Sequence, residues 1–211
     1  MKLWIFDLDG TLADTFPVFF RSMREIFAAR GRSVTDAQLR AALGSPMPSY
    51  FAEHFGEGGV DSAVDDLRRL SVAYAKDVRP FEGIEDCLEV LLDRGRSLAV
   101  WTARDRESTE HVLRWSGLDR FTNHVVTADC VSRGKPDPEG AHLVLDRTRH
   151  AADEAVMVGD HLHDVNAARA AGLLGVRASW NPYWKSEACV VADRQFFTVR
   201  DFADWIRAEI R

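Results

Sequence analysis

The chain has 211 residues, of which 46% are apolar and 28% charged. That is an ordinary globular composition, and it excludes disordered, collagen-like and low-complexity classes. At roughly 150 residues per domain the length amounts to about 1.4 domains, so one core with a sizeable insertion fits better than two equal halves. Lys and Arg number 27 against 33 Asp and Glu, a net charge of −6, so no basic surface advertises nucleic acid or an anionic membrane.

In chain order, residues 3–6 form a short, wholly apolar run that reads as a buried strand. Phe16, Phe19, Phe20, Met23, Ile26 and Phe27 then make one helical stripe, closed by Arg30-Gly31 as a C-cap. Thr35-Asp36 opens a short helix that reaches Leu43 and ends at Gly44-Ser45-Pro46. A third helix is predicted from Pro48 to Phe55 and a fourth from Asp61 to about Lys76. No strand is predicted between Thr15 and Arg79.

Beyond that point strand and helix alternate. Ile84, Cys87, Leu88 and Leu91 follow helical spacing, as do, less tidily, Val112 with Trp115 and Leu143 with Leu145. Apolar runs at 98–101, 125–127, 156–158 and 175–178 read as strands buried on both faces. This alternation predicts a doubly wound, parallel, Rossmann-like α/β core over residues 1–14 and 80–211, interrupted by a helical insert over 15–79.

Cys87, Cys130 and Cys189 are odd in number, widely spaced and form no CxxC pair. They are expected to be small buried hydrophobes in a reducing compartment. The N-terminal apolar run is too short for a signal peptide, and no later run approaches the ~18 residues needed to cross a bilayer. A soluble, cytoplasmic protein is expected, with neither nucleic acid nor membrane as partner.

Four motifs stand at predicted strand ends, where ligands bind in a parallel sheet. The first is Asp7-Leu8-Asp9-Gly10-Thr11, with two carboxylates two residues apart and a glycine that permits a sharp turn. An Asx turn would need only one aspartate, and background frequencies produce such a string in roughly one chain in several hundred. The second is Thr102-Ala103-Arg104, whose hydroxyl could hold a phosphate oxygen or merely cap a helix.

The third motif is Gly134-Lys135-Pro136-Asp137-Pro138. Asp137 as N-cap and Pro138 at the first helical position would fix Lys135 just before a rigid helix start. The fourth is Gly159-Asp160-His161-Leu162-His163-Asp164, whose two carboxylates four apart can converge on one cation. Acidic residues also favour any helix N-terminus. The ordered occurrence of all four is what makes the signal strong.

This ordered set resembles the haloacid dehalogenase superfamily of phosphohydrolases, and the resemblance covers nearly the whole chain. The insert looks like that superfamily's α-helical cap. Asp14-Thr15, Pro17 and the Gly44-Ser45-Pro46 turn are similar to phosphoglycolate phosphatase-like members. The resemblance implies that Asp7 is a nucleophile forming an aspartyl-phosphate, and that Asp9 is first general acid and then general base. It implies Mg²⁺ held by Asp7, the backbone carbonyl of Asp9, and Asp160, with support from Asp164. Thr102 and Lys135 would grip phosphoryl oxygens. Charge agrees, because four carboxylates at one point would repel a phosphate dianion unless a divalent ion and Lys135 offset them.

Two departures from the family pattern stand out. Ala103 replaces a residue that is usually polar, a hydrogen bond that Arg104 could supply, and His161 with His163 follows Asp160 where a small hydroxyl residue is common. Substrate contacts are expected from the cap turn at Gly44 to Met47, with Arg40, Tyr50 and His54 near it and Arg21 or Arg24 on the first cap helix. The aromatic string Trp180-Asn181-Pro182-Tyr183-Trp184 could wall the substrate, form a dimer contact or cover the core's own edge. The expected activity is Mg²⁺-dependent hydrolysis of a small phosphomonoester metabolite, phosphoglycolate-like substrates first among them, by a monomer or homodimer. The alternatives are a phosphosugar mutase of the same architecture and a catalytically silent regulatory protein, the latter expected to lack a reacting carboxylate. A dehalogenase needs neither Asp9 nor the Asp160/Asp164 pair.

Overall fold

A computed structural model describes residues 1–121, 123–183 and 191–209. Strand β1 (Leu3–Phe6) leads through a turn to β2 (Ala13–Asp14), followed by helices α1 (Phe16–Ala29), α2 (Asp36–Ala42), α3 (Met47–Phe55) and α4 (Val60–Tyr74). The chain returns through β3 (Arg79–Pro80), then α5 (Ile84–Asp93), β4 (Ser97–Trp101), α6 (Arg106–Ser116) and β5 (His124–Val126). It ends with α7 (Glu139–Thr148), β6 (Ala155–Gly159), α8 (Leu162–Ala170), β7 (Leu174–Ala178), β8 (Arg194–Phe196) and α9 (Val199–Glu209). No helix among the described residues is long and apolar enough to cross a membrane.

Six strands form one parallel sheet in the order β5-β4-β1-β6-β7-β8. The chain winds outward from β1 through β4 to β5, then returns to the other side for β6, β7 and β8. The order therefore reverses beside β1, where a doubly wound sheet opens a crevice beyond its strand ends. Registers match there, since Phe6 lies opposite both Val100 and Val158. The residues after β1, β4 and β6 consequently emerge at one level.

Burial on both faces explains the unbroken apolar runs. Trp4 and Phe6 pack on one face with Leu88, Leu91, Phe202 and Ile206, whereas Leu3 and Ile5 pack on the other with Val144 and Ala168. Helices α1 to α4 bury their own cluster, in which Met23, Ile26 and Phe27 of the α1 stripe meet Leu39, Phe51 and Leu70. Thr35 caps α2 in a capping box with Gln38, so the predicted start is the observed one.

Several local expectations need correction. The two-residue strands β2 and β3 pair antiparallel, Ala13 with Pro80 and Asp14 with Arg79, and clamp both ends of the helical segment together. Helix α7 begins one residue late: Pro138 is its N-cap, while the Asp137 carboxylate accepts the Glu139 N–H at 3.0 Å. Trp115 is 58% exposed, so the buried face of α6 is Val112 and Leu113 instead. Cys87 is buried but Cys130 only half-buried; Cys189 lies outside the described residues.

Candidate active site

The loop after β1 folds tightly because Leu12 and Ala13 both donate backbone N–H bonds to the Leu8 carbonyl. Gly10 has φ +76°, and a Cβ there would lie 2.1 Å from Asp160 Oδ2 and 2.6 Å from Asn181 Nδ2. Only glycine satisfies both the left-handed conformation and that close approach. Gly159 is likewise required, since its Cβ would meet the Asp164 side chain at 2.2 Å.

Lys135 organises the centre. Its Nζ donates to Asp7 Oδ1, Asp164 Oδ1 and the Trp101 carbonyl, each at 2.7 Å. Burial alone would disfavour its charge, but Asp164 and Asp7 overcome this and hold its pKa above the usual lysine range. Burial pushes the Asp7 carboxyl up to about 7, with Asp164 and Asp9 adding to the rise and Lys135 opposing it. Asp164 is fixed from its other side by the His161 N–H, which donates to Oδ2 at 3.0 Å.

Asp7, Asp160 and Asp164 each bring one carboxylate oxygen to within 4.8 Å of the others, and all three are buried. An all-oxygen donor set of three carboxyl groups against one lysine fits a hard divalent cation. The Asp9 carboxylate is not in that group. It turns toward Arg104, whose Nε donates to both of its oxygens at 2.7 and 2.9 Å, while the Thr102 hydroxyl reaches it at 3.4 Å. Two carboxylates two residues apart thus serve different neighbours, one facing a lysine and the other an arginine.

Ala103 is exposed and offers no polar side chain, and Arg104 takes over as the polar group after Thr102. Gly44, at φ +77°, brings the helical segment against the site: a Cβ there would meet His161 Nε2 at 2.5 Å. The remaining candidates in that segment are occupied elsewhere. Tyr50 is buried and donates to the Gln38 carbonyl, and His54 stacks on its ring at 4.3 Å. Arg21 lies over Tyr74 and pairs with Asp77 at 3.3 Å, and Arg24 pairs with Asp36 at 2.6 Å. Exposed Arg40 lines a cavity of about 310 Å³ with Pro17, Phe20, Arg24, Asp36 and Tyr183.

His161 Nδ1 accepts the His163 N–H at 3.2 Å, so that histidine caps α8. Trp180 donates its indole N–H to the Thr11 carbonyl at 3.0 Å and packs on Phe202. Tyr183 sets its ring on Phe16 and Phe20 of α1. The string therefore divides between core and helical segment, with Trp184 outside the described residues. Asn181 is fully buried beside Gly10 and Asp160, and in the sequence only its place just past the end of β7 marks it.

Pyrophosphatase PpaX of Bacillus pumilus is 30% identical over 206 residues, 95% of this chain and 92% of the relative. Phosphoglycolate phosphatase of Pseudomonas savastanoi is 31% identical over 189 residues, 85% of this chain and 70% of the relative. The crystal structure of CbbY from Rhodobacter sphaeroides in complex with phosphate superposes with a TM-score of 0.83, covering 93% of each chain at 24% identity, which speaks to fold. The family signature described as haloacid dehalogenase-like hydrolase matches residues 4–177. The chain belongs to the haloacid dehalogenase-like hydrolase family.

Proposed function

We propose that the protein hydrolyses a small phosphomonoester in two displacements at Asp7, with Mg²⁺ as cofactor. The observation that carries this reading is the Lys135 ammonium spanning Asp7 and Asp164, beside Asp160, at the end of three adjacent strands. Lys135 holds Asp7 Oδ1, leaving Oδ2 to attack phosphorus in line with the leaving oxygen. The Asp7–phosphorus bond forms as the ester bond breaks, and Asp9 gives its proton to the departing alkoxide. Asp9 then takes a proton from water, whose oxygen displaces the Asp7 carboxylate and releases inorganic phosphate.

Arg104 Nε donates to both oxygens of Asp9, and one of the two bonds is enough to orient the carboxyl while its other oxygen exchanges the proton. Asp7, Asp160, Asp164 and the Asp9 carbonyl would hold Mg²⁺, which supplies charge neutralisation and polarises the phosphoryl group when bound. The Thr102 hydroxyl, against Asp9, is the donor for a phosphoryl oxygen, and Lys135 supplies positive charge beside it while its N–H groups hold Asp7, Asp164 and the Trp101 carbonyl. Residues 15–79 act as a cap that excludes water, its turn at Gly44 meeting the core at His161. Phosphoglycolate and pyrophosphate, the substrates in the relatives' names, both carry anionic charge beyond the reacting phosphoryl group.

The reading is tested by a panel of phosphate esters and pyrophosphate assayed with Mg²⁺ and again with excess chelator. Chelator-sensitive release of free phosphate from at least one small ester is expected. Isomer formation without phosphate release, or undiminished release in chelator, contradicts it.

A further inference from the structure

Asn181 is 0% exposed, yet its amide nitrogen has no hydrogen-bond partner among the described residues. A buried amide donor left unpaired is costly, so such a group calls for an acceptor. Its other end is committed: Oδ1 accepts the Tyr183 N–H at 3.1 Å, which fixes the side-chain orientation. The orphaned nitrogen and Asp160 Oδ2 converge on the same small space over Gly10, 2.6 and 2.1 Å from where a Cβ would stand. No other residue type at position 10 would let them approach.

We propose that Asn181 is a positioning residue of the cation site. Its Nδ2 donates to the outer oxygen of Asp160 when the other oxygen engages a divalent ion. The neighbouring Trp180 is not so placed, for it spends its N–H on the Thr11 carbonyl. A ligating carboxylate held this way keeps one oxygen turned to the metal, and loss of such a support typically weakens metal binding 10- to 100-fold. The same residue anchors the turn that carries Tyr183 onto Phe16 and Phe20, so its two ends serve separate purposes.

This rests on reading Asp7, Asp160 and Asp164 as a cation site, and the test separates the two. Mg²⁺ alone is titrated calorimetrically into the metal-free wild type, Asp160→Asn and Asn181→Ser. Serine keeps an acceptor for the Tyr183 N–H but cannot reach Asp160. The expected result is binding by wild type, none by Asp160→Asn, and roughly 10-fold weaker binding by Asn181→Ser with an unchanged metal-free melting temperature. If the variant melts lower, the rise in melting temperature on adding Mg²⁺ is compared instead, and a smaller rise than in wild type is expected. Equal affinity, or an equal rise, overturns the role of Asn181 and leaves the cation site standing. Absence of Mg²⁺ binding by the wild type overturns both.

Discussion

The strand-end crevice and the helical segment use charge in opposite ways. In the crevice, Lys135, Asp7 and Asp164 have side chains only 7%, 10% and 4% exposed, and each ion pair is enclosed. In the helical segment, Arg24 and Asp36 are 49% and 70% exposed, and Arg21 and Asp77 are 53% and 46% exposed. Enclosed charges are costly unless paired, and they fix geometry, whereas surface pairs contribute little and rearrange freely. The strand-end carboxylate cluster is thus fixed by enclosed pairs of the core, while the helical segment is held by apolar packing and brings Gly44 against His161.

Removing Lys135 should break this contrast most severely. Lys135→Ala leaves two buried carboxylates unpaired, and the metal-free fold should lose on the order of 3 kcal/mol at about pH 8, as removal of one member of a buried pair does. Phosphate release should fall roughly 10³-fold. Urea unfolding and steady-state kinetics check both, and a wild-type-like variant would contradict the enclosed network.

Arg104→Ala comes next. It strips Asp9 of its paired donor while leaving Lys135, Asp7 and Asp164 in place. A drop in kcat of roughly 10²-fold is expected, in the range of general acid–base contributions, with Mg²⁺ affinity unchanged. Equal loss of metal affinity would show that Asp9 and Asp7 do not act on separate neighbours.

The raised pKa of Asp7 has a sign that can be measured. The folded, metal-free protein holds this proton more tightly than the unfolded chain, from an ordinary 3.8 up to about 7. Its stabilising contribution is therefore whole below about pH 4 and lost as pH rises through about 7. In chelator, wild type should lose stability relative to Asp7→Asn across that window, and Mg²⁺, which binds wild type the better, should offset that loss. Parallel stability curves in chelator would contradict the burial of an ionisable Asp7.

Gly44→Ala is the mildest change, because it touches only the seam. A residue at φ +77° is strained by about 1–2 kcal/mol, and the new methyl would press on His161. A several-fold rise in KM with little change in kcat is expected, relieved in part by a second substitution, His161→Ala. No kinetic effect would show that the turn does not reach the substrate.

Much of this arrangement is legible in the chain. Runs buried on both faces, such as Leu3–Phe6 and Ala155–Gly159, carry a parallel-sheet signature, and their ends carry Asp7 and Asp160. The helix start at Thr35-Asp36 is equally plain, whereas its Gln38 partner shows only in the fold. Strands β2 and β3 are not, because two residues carry no periodicity, and their pairing depends on contacts far apart in sequence. Nor is the partition of Asp9 to Arg104, which needs the loops after β1 and β4 to be side by side. Asn181 sits among aromatic neighbours, and only its burial as a donor with no acceptor among the described residues sets it apart. Tyr50 and His54 illustrate the reverse, polar-tipped side chains whose rings are spent on packing.

The central claim is that Asp7 itself takes the phosphoryl group. It is tested most directly by measuring phosphate release from the best ester by Asp7→Asn, with Asp9 and Lys135 intact. The account predicts a folded protein with no turnover above background and no phosphoryl adduct on the chain, where wild type forms one at Asp7. Retained turnover by Asp7→Asn, or a wild-type adduct on any other residue, would contradict it.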